Sequence, residues 1–72
     1  MPYVNIKITR EGATTADQKA RLIEGTTRLL QEVLGKDPAT TFVVIDEVEL
    51  EDWGIGGLSV EEYRRRLLQT SA

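Results

Sequence analysis

The first hydrophobic pattern in the chain is an alternation that predicts a β-strand over residues 3–9. This segment reads Tyr-Val-Asn-Ile-Lys-Ile-Thr and contains β-branched residues, which favour extended backbone. Because the period is two, one face of the strand is apolar and the other is largely polar. The apolar face carries Pro2, Val4, Ile6 and Ile8. Residues 10–14 break the alternation and are predicted to form a loop.

The second pattern predicts one long amphipathic helix that begins after Thr15. The spacing from Thr15 to Gln18 is that of a capping box, in which the two side chains satisfy free amides of the first turn. Gly35 is a natural C-terminal cap, and Pro38 prevents continuation of the helix. Between these limits apolar residues recur at steps of three and four and form one stripe, which consists of Leu22, Ile23, Leu29, Leu30, Val33 and Leu34.

A second strand is predicted over residues 40–48. It is apolar on both faces from Phe42 to Ile45, so we expect both faces to be covered. An acidic connection then leads to the glycine-rich segment of residues 53–57, Trp-Gly-Ile-Gly-Gly, which is expected to be a loop. Residues 59–62, Ser-Val-Glu-Glu, have capping-box spacing and predict a short helix through about Gln69. The last three residues are expected to fray.

The order strand, helix, strand predicts one β-α-β unit with parallel strands and a right-handed crossover. The expected fold is therefore an α/β subunit with a short C-terminal helix. No internal repeat or linker interrupts residues 1–72, which are expected to form a single domain. Two strands and one helix leave a sheet face and two edges uncovered, and pairing between subunits would cover them.

Composition limits how so short a chain can be stabilised. Its 72 residues include no cysteine and no histidine, so disulfides are excluded and we expect neither a metal site nor a cofactor. A single core of this size supplies only about 3–5 kcal/mol. We therefore expect the protein to be an obligate oligomer.

Net charge and hydropathy bear on whether a nucleic acid or a membrane is a partner. The net charge of −3 argues against a nucleic-acid partner, because nucleic-acid binders usually present a basic face. The apolar runs are too short to span a bilayer, and residues 1–5 lack the features of a signal peptide. We therefore expect no membrane partner and a cytoplasmic location.

Pro2 is the first candidate for chemistry. Methionine aminopeptidases remove an initiator methionine that precedes a small residue, and their action would leave Pro2 as the first residue. A free proline is a secondary amine, and burial beside apolar groups or near a cation disfavours its ammonium form. Such an amine can act as a general base near neutral pH. While Met1 is attached, the Pro2 nitrogen is an amide and is not basic.

Three further positions are candidates for binding or catalysis. Arg10 follows the first strand, where open α/β sheets gather ligand groups, and its guanidinium suits a planar carboxylate; the alternative is a solvated pair with Glu11. Trp53 either lines an apolar pocket or packs in a subunit contact. Asp46 and Glu47 could activate water. The alternative is that they are solvated charges at the end of the second strand.

Together these segments resemble the 4-oxalocrotonate tautomerase family in order and spacing. The resemblance extends from Pro2 to about residue 66 and is carried by residues 2–8, 17–23, 43–48 and 53–57. It implies β-α-β subunits that pair into a four-stranded sheet, with three pairs in a hexamer. It also implies that Pro2 shuttles a proton in a 2-hydroxydienoate or related enol acid. Arginines would hold the substrate carboxylates, and Trp53 would make the pocket apolar.

Two departures from the family pattern affect the expected substrate. The loop before the helix is longer than in the family, so Arg10 is a shifted equivalent of the first family arginine. Phe42 stands at the position of the second arginine and would wall the site without binding a carboxylate. Another group then replaces that arginine, or the substrate carries one carboxylate, or a different subunit supplies the cation in a hetero-hexamer.

Two alternatives to a homo-hexameric tautomerase stay open from the sequence. One is a dehalogenase or decarboxylase of a short unsaturated acid, in which Asp46 or Glu47 activates water. The other is an accessory subunit that lends Arg10 or Trp53 to the site of a partner in a hetero-oligomeric tautomerase.

Overall fold

A computed structural model describes residues 1–70 of the protein, with side chains as far as Gln69. Its helices and strands follow in the order β1 (Tyr3–Thr9), α1 (Ala16–Leu34), β2 (Phe42–Val48), β3 (Gly54–Ile55), β4 (Leu58–Ser59) and α2 (Val60–Thr70). Short 3₁₀ turns at Pro38–Thr40 and Leu50–Asp52 flank β2. The predicted β-α-β unit with a C-terminal helix is confirmed. Of the three residues expected to fray, Thr70 instead ends α2, and residues 71 and 72 lie outside the described residues.

β1 and β2 are parallel, as predicted, and pair in register from Tyr3 opposite Phe42 to Thr9 opposite Val48. An ion pair between Lys19 of α1 and Glu47 of β2 shows which face of the sheet α1 covers. Since side chains alternate along a strand, the other face is identified by parity. We call it the open face, and it carries Tyr3, Asn5, Lys7, Thr9, Phe42, Val44, Asp46 and Val48.

The termini of α1 are those predicted. The Thr15 hydroxyl accepts a hydrogen bond from the Gln18 amide at 3.1 Å, and the Gln18 side chain accepts one from the Thr15 amide at 2.9 Å. Gly35 has a φ of 68° and donates its amide to the Gln31 carbonyl at 2.9 Å. Because a residue with a Cβ is strained at this φ, glycine is the favoured terminator here.

β2 begins two residues later than predicted, at Phe42. The Asp37 side chain accepts a hydrogen bond from the Ala39 amide at 2.9 Å and caps the 3₁₀ turn at Pro38–Thr40. This local bonding holds Thr40 in the turn, and the chain becomes extended only after it. The predicted strand start at residue 40 is therefore wrong.

The glycine-rich segment is a small antiparallel hairpin and not the loop that was expected. β3 pairs with β4, with Ile55 opposite Leu58, and Gly56 and Gly57 form the turn between them. Their φ values of 61° and 84° are the positive values that a two-residue hairpin turn of the primed type requires. The glycines thus serve the turn geometry, and the hairpin connects β2 to α2.

The start of α2 contains half of the predicted capping box. The Ser59 hydroxyl accepts a hydrogen bond from the Glu62 amide at 3.3 Å. The Glu62 carboxylate instead forms ion pairs with Arg65 and Arg66 on the next turn. The reciprocal bond of a full box is therefore replaced by pairs within the helix.

A single chain encloses almost no core. Among residues 1–69, whose side chains are described, only Val60 is buried. The radius of gyration is 16.5 Å, whereas a compact domain of this length has one of about 11 Å. Leu29, Val33 and Leu34 on α1 are more than half exposed. These surfaces support the expectation that other subunits cover them, which stays a prediction.

Within residues 1–70, no helix combines the length and the apolar content that crossing a bilayer demands.

Candidate active site

Pro2 and Phe42 lie together at the amino ends of the two parallel strands. The Phe42 amide donates a hydrogen bond to the Pro2 carbonyl at 3.0 Å, which extends the β1–β2 pairing to the residue before β1. Tyr3, opposite Phe42 in the register, shares the open face with it. Pro2 is half-buried, whereas Phe42 is 54% exposed. Pro2 therefore stands beside apolar surface that a ligand or another subunit can reach.

Arg10 lies at the opposite end of β1. Its amide donates to the Val48 carbonyl at 2.7 Å, so it directly continues the strand pairing. Its Nε atom forms an ion pair with a Glu49 carboxylate oxygen at 2.7 Å, and both side chains are 53% exposed. The alternative partner predicted for Arg10, Glu11, is engaged elsewhere.

Glu11 fastens the loop that follows Arg10 to the C-terminal helix. Arg64 donates to its carboxylate at 2.8 Å, and the Thr9 hydroxyl donates to the other oxygen. The Arg64 hydrogen bond, followed by that from Thr9, lowers the pKa of Glu11 below its usual value. The same pair raises the pKa of Arg64. The loop therefore has a charged anchor on α2 immediately after the position of Arg10.

Trp53 lies at the carboxyl end of the sheet, on the side of the open face. It is half-buried and lines a cavity of about 360 Å³ with Lys7, Val48, Asp52 and Gly54. Its carbonyl accepts the Val60 amide at 2.8 Å, and this bond ties the residue before the hairpin to the first residue of α2. Both expected surroundings, an apolar pocket and a subunit contact, are compatible with this position.

One chain does not bring the four predicted site residues together. Pro2 and Phe42 lie at the amino ends of the strands, while Arg10 and Trp53 lie at the carboxyl ends. A strand of 7 residues, as β1 is, spans about 23 Å. A short enol acid cannot bridge that distance, so a site that uses all four residues needs more than one chain.

Asp46 and Glu47 point to opposite faces of the sheet, and both are already engaged. Asn5 and Lys7 donate to Asp46 at 2.8 and 3.2 Å, and in that order these bonds lower its pKa. Lys19 lowers the pKa of Glu47, whose side chain is only 11% exposed beneath α1. Because the pKa of each carboxyl is lowered and its oxygens already accept hydrogen bonds, both carboxylates are weak bases. A water-activating role for them therefore gains no support.

Two charged residues beside cavities were not expected from the sequence. Glu49 is the partner of Arg10, and the signal that could have revealed it is the parallel register, because residues that follow paired strands lie opposite each other. Arg21 lines a cavity of about 520 Å³ with Ile8, Thr14, Gln18 and Leu22. Its position on the first turns of α1 has no distinguishing signal, since helix arginines are commonly solvated.

Comparison with known proteins identifies the family. A family model described as tautomerase enzyme matches residues 2–63, the larger part of the chain and the part that contains Pro2, Arg10, Phe42 and Trp53. The chain belongs to the tautomerase family. The resemblance drawn from the order and spacing of its segments is thereby confirmed, and the protein is an enzyme of the isomerase class.

Named relatives agree with this membership. The tautomerase is 61% identical over 66 residues to probable tautomerase K2 of Dickeya dadantii, covering 92% of this chain and 97% of that protein. It is 42% identical over 65 residues to a 2-hydroxymuconate tautomerase of Pseudomonas putida, covering 90% of this chain and 100% of that protein. The crystal structure of DmpI from Helicobacter pylori superposes with a TM-score of 0.79 at 43% identity, covering 89% and 97% of the two chains.

Proposed function

We propose that this tautomerase moves a proton in a 2-hydroxydienoate or related enol acid and that Pro2 is its amino-terminal general base. The observation that carries the proposal is 42% identity over 65 residues, or 90% of this chain, to a protein named 2-hydroxymuconate tautomerase. Pro2 is also held in a defined place, because its carbonyl accepts the Phe42 amide at 3.0 Å. A base positioned by the sheet can meet its substrate in a constant geometry.

The proposed reaction is a proton transfer in which no atom is gained or lost. With Met1 removed, the Pro2 nitrogen takes the proton of the enol hydroxyl, and the oxygen becomes a carbonyl. The electron pair of the enol double bond shifts along the conjugated chain. The Pro2 ammonium then returns the proton to the distal carbon, and the base is regenerated. General base catalysis of this kind contributes about 10²–10⁴-fold to a rate.

The other proposed site residues bind and enclose the substrate. Arg10 binds a carboxylate through its guanidinium, and Phe42 and Trp53 form apolar walls that exclude water and keep the Pro2 amine neutral. Since one chain separates these groups by about 23 Å, the proposed site joins Pro2 and Phe42 of one subunit to Arg10 and Trp53 of another. The exposed apolar surface of α1 and of the open face is available for such contacts.

The experiment that tests the base compares the mature protein with its Pro2→Ala variant in the ketonisation of 2-hydroxymuconate or phenylenolpyruvate. The variant retains only a primary amine on a flexible residue, so we expect kcat to fall by about 100-fold. Pro38→Ala is the matched control, because Pro38 lies in the 3₁₀ turn before β2, and we expect it to keep its kcat. Equal rates in the mature protein and in Pro2→Ala would exclude the proposed role.

We propose a hexamer of identical subunits as the active assembly. The test is to express the chain alone, measure its native mass, and assay the same fraction for ketonisation. An active hexamer is the expected result. A stable but inactive species that gains activity only with a second kind of subunit would instead support the accessory-subunit alternative.

A further inference from the structure

The surroundings of Arg10 are strongly acidic. Arg10 and Leu50 line a cavity of about 260 Å³ together with three glutamates: Glu49, Glu51 and Glu61. One cation therefore faces three carboxylates, and the net formal charge of the cavity lining is negative. A cavity of this charge repels anions, although its arginine is the kind of group that binds them.

Glu49 occupies part of the hydrogen-bonding edge of Arg10 that a substrate carboxylate would use. A carboxylate is held most strongly by two parallel N–H groups of a guanidinium. Here Nε already forms an ion pair with a Glu49 carboxylate oxygen at 2.7 Å. Both side chains are 53% exposed, so a ligand can reach the pair and displace it. Substrate binding at Arg10 must therefore compete with a carboxylate of the protein itself.

The position of this competitor follows from the sheet. Thr9 and Val48 are the last residues of β1 and β2 and are paired in parallel register. Arg10 and Glu49 are the next residue of each strand, and the Arg10 amide still bonds the Val48 carbonyl at 2.7 Å. The backbone thus places the two side chains opposite each other, which makes the ion pair a built-in feature of the fold.

Two further glutamates line the same cavity as Arg10 and Glu49. Glu51 lies in the 3₁₀ turn after β2, and Glu61 lies in the first turn of α2. No second cation is among the residues that line this cavity. A second carboxylate on the ligand would therefore meet only like charges there, which raises the free energy of binding for a dicarboxylate.

We propose that Glu49 is a specificity-determining residue that competes with substrate for Arg10, and that the acidic lining makes the enzyme prefer enol acids with one carboxylate. This inference rests on the proposed function, since it takes Arg10 as the carboxylate-binding group. It names the substrate class: a 2-hydroxydienoate with one carboxylate, converted more efficiently than its dicarboxylate counterpart.

The test uses the mature assembled protein and two matched substrates. They are 2-hydroxymuconate, with two carboxylates, and 2-hydroxypentadienoate, which lacks the second one. We expect the native enzyme to have the higher kcat/KM with 2-hydroxypentadienoate. In Glu49→Gln we expect the KM for 2-hydroxypentadienoate to fall about fivefold at constant kcat, which is the upper range for removal of an exposed ion pair. The KM for 2-hydroxymuconate should fall further. Thermal unfolding verifies that the variant is folded.

Glu24→Gln is the matched control. It removes the same charge from an ion pair of the same length, since Glu24 pairs with Arg28 on α1 at 2.7 Å. We expect this variant to keep both KM values. A fall in KM equal to that of Glu49→Gln would assign the effect to overall charge and overturn the inference.

Two other results would overturn it. A rise in KM in Glu49→Gln would show that Glu49 orients Arg10 and does not compete for it. A native preference for 2-hydroxymuconate would contradict the assigned substrate class. The Pro2→Ala variant is assayed in parallel. Full activity of Pro2→Ala would refute the proposed function. Loss of activity in Pro2→Ala, together with an unchanged KM in Glu49→Gln, would refute this inference alone.

Discussion

Whether Met1 is attached to Pro2 should decide whether the enzyme is active, without changing its stability. In a chain that retains Met1, the Pro2 nitrogen is an amide and has no basic electron pair. In the mature chain it is a secondary amine. The two forms share every other residue, so their comparison isolates the base from the rest of the proposed site.

The expected magnitude differs sharply between activity and stability. Loss of the base should lower kcat by about 10²–10⁴-fold, which corresponds to about 2.7–5.5 kcal/mol in the activation barrier. Met1 is 87% exposed, and the hydrogen bond from the Phe42 amide to the Pro2 carbonyl does not involve Met1. We therefore expect the free energy of unfolding to change by less than about 0.5 kcal/mol.

The assay requires both forms from one expression system, with methionine aminopeptidase active or inhibited. Intact mass identifies each form, ketonisation of 2-hydroxymuconate gives kcat, and denaturant unfolding gives stability. Equal kcat values in the two forms would refute the reasoning, because an amide nitrogen cannot accept the enol proton. A large loss of stability in the Met1 form would also count against it, since the change would then extend beyond the base.

Three further outcomes are expected from the local structure. Thr15→Ala should lower the free energy of unfolding by about 1 kcal/mol through loss of the helix cap, whereas Thr15→Ser should keep most of that stability. Unfolding in urea measures both variants. Gly57→Ala should destabilise the protein by about 1–2 kcal/mol because Gly57 has a φ of 84°. Gly25→Ala on α1 should instead stabilise it by about 1 kcal/mol, because alanine favours helix more than glycine does. Equal effects of the two substitutions on the free energy of unfolding would contradict the turn argument. Glu47 has a pKa below its usual value of 4.5 because Lys19 bonds its charged form, so its stabilising effect is present above about pH 4.5 and is lost as pH falls through the lowered pKa. Thermal unfolding at pH 7 and pH 3.5 should therefore show a smaller acid-induced drop in Glu47→Gln than in the native protein.

Most of the secondary structure could be predicted because its signals are local. The alternation over residues 3–9 and the capping box at Thr15 depend only on neighbours in the chain, and both are confirmed. The hairpin at residues 54–59 was missed, although two adjacent glycines are a known hairpin signal, because its strands have only two residues each. β2 was predicted to start too early because the Asp37 side chain accepts a backbone hydrogen bond and holds the residues just before the strand in a turn.

The candidate site was predicted as residue types but not as an arrangement. Pro2, Arg10 and Trp53 could be chosen because each carries a suitable group at or near a family position, and Phe42 because it stands where the family has an arginine. Their separation into two ends of the sheet depends on the parallel register, which no single segment contains. The same register brings Glu49 against Arg10, for which the sequence suggested either a substrate carboxylate or Glu11 as the partner.

By itself, the sequence determined the α/β class, the limits of the long helix and membership of the tautomerase family. These depend on periodicity, caps and residue order, all of which act over short stretches of chain. Tertiary structure alone decided that one chain does not bring the four candidate site residues together and that its apolar surfaces stay exposed. The reason is physical: distances between elements depend on how strands pair, and burial depends on what packs against them.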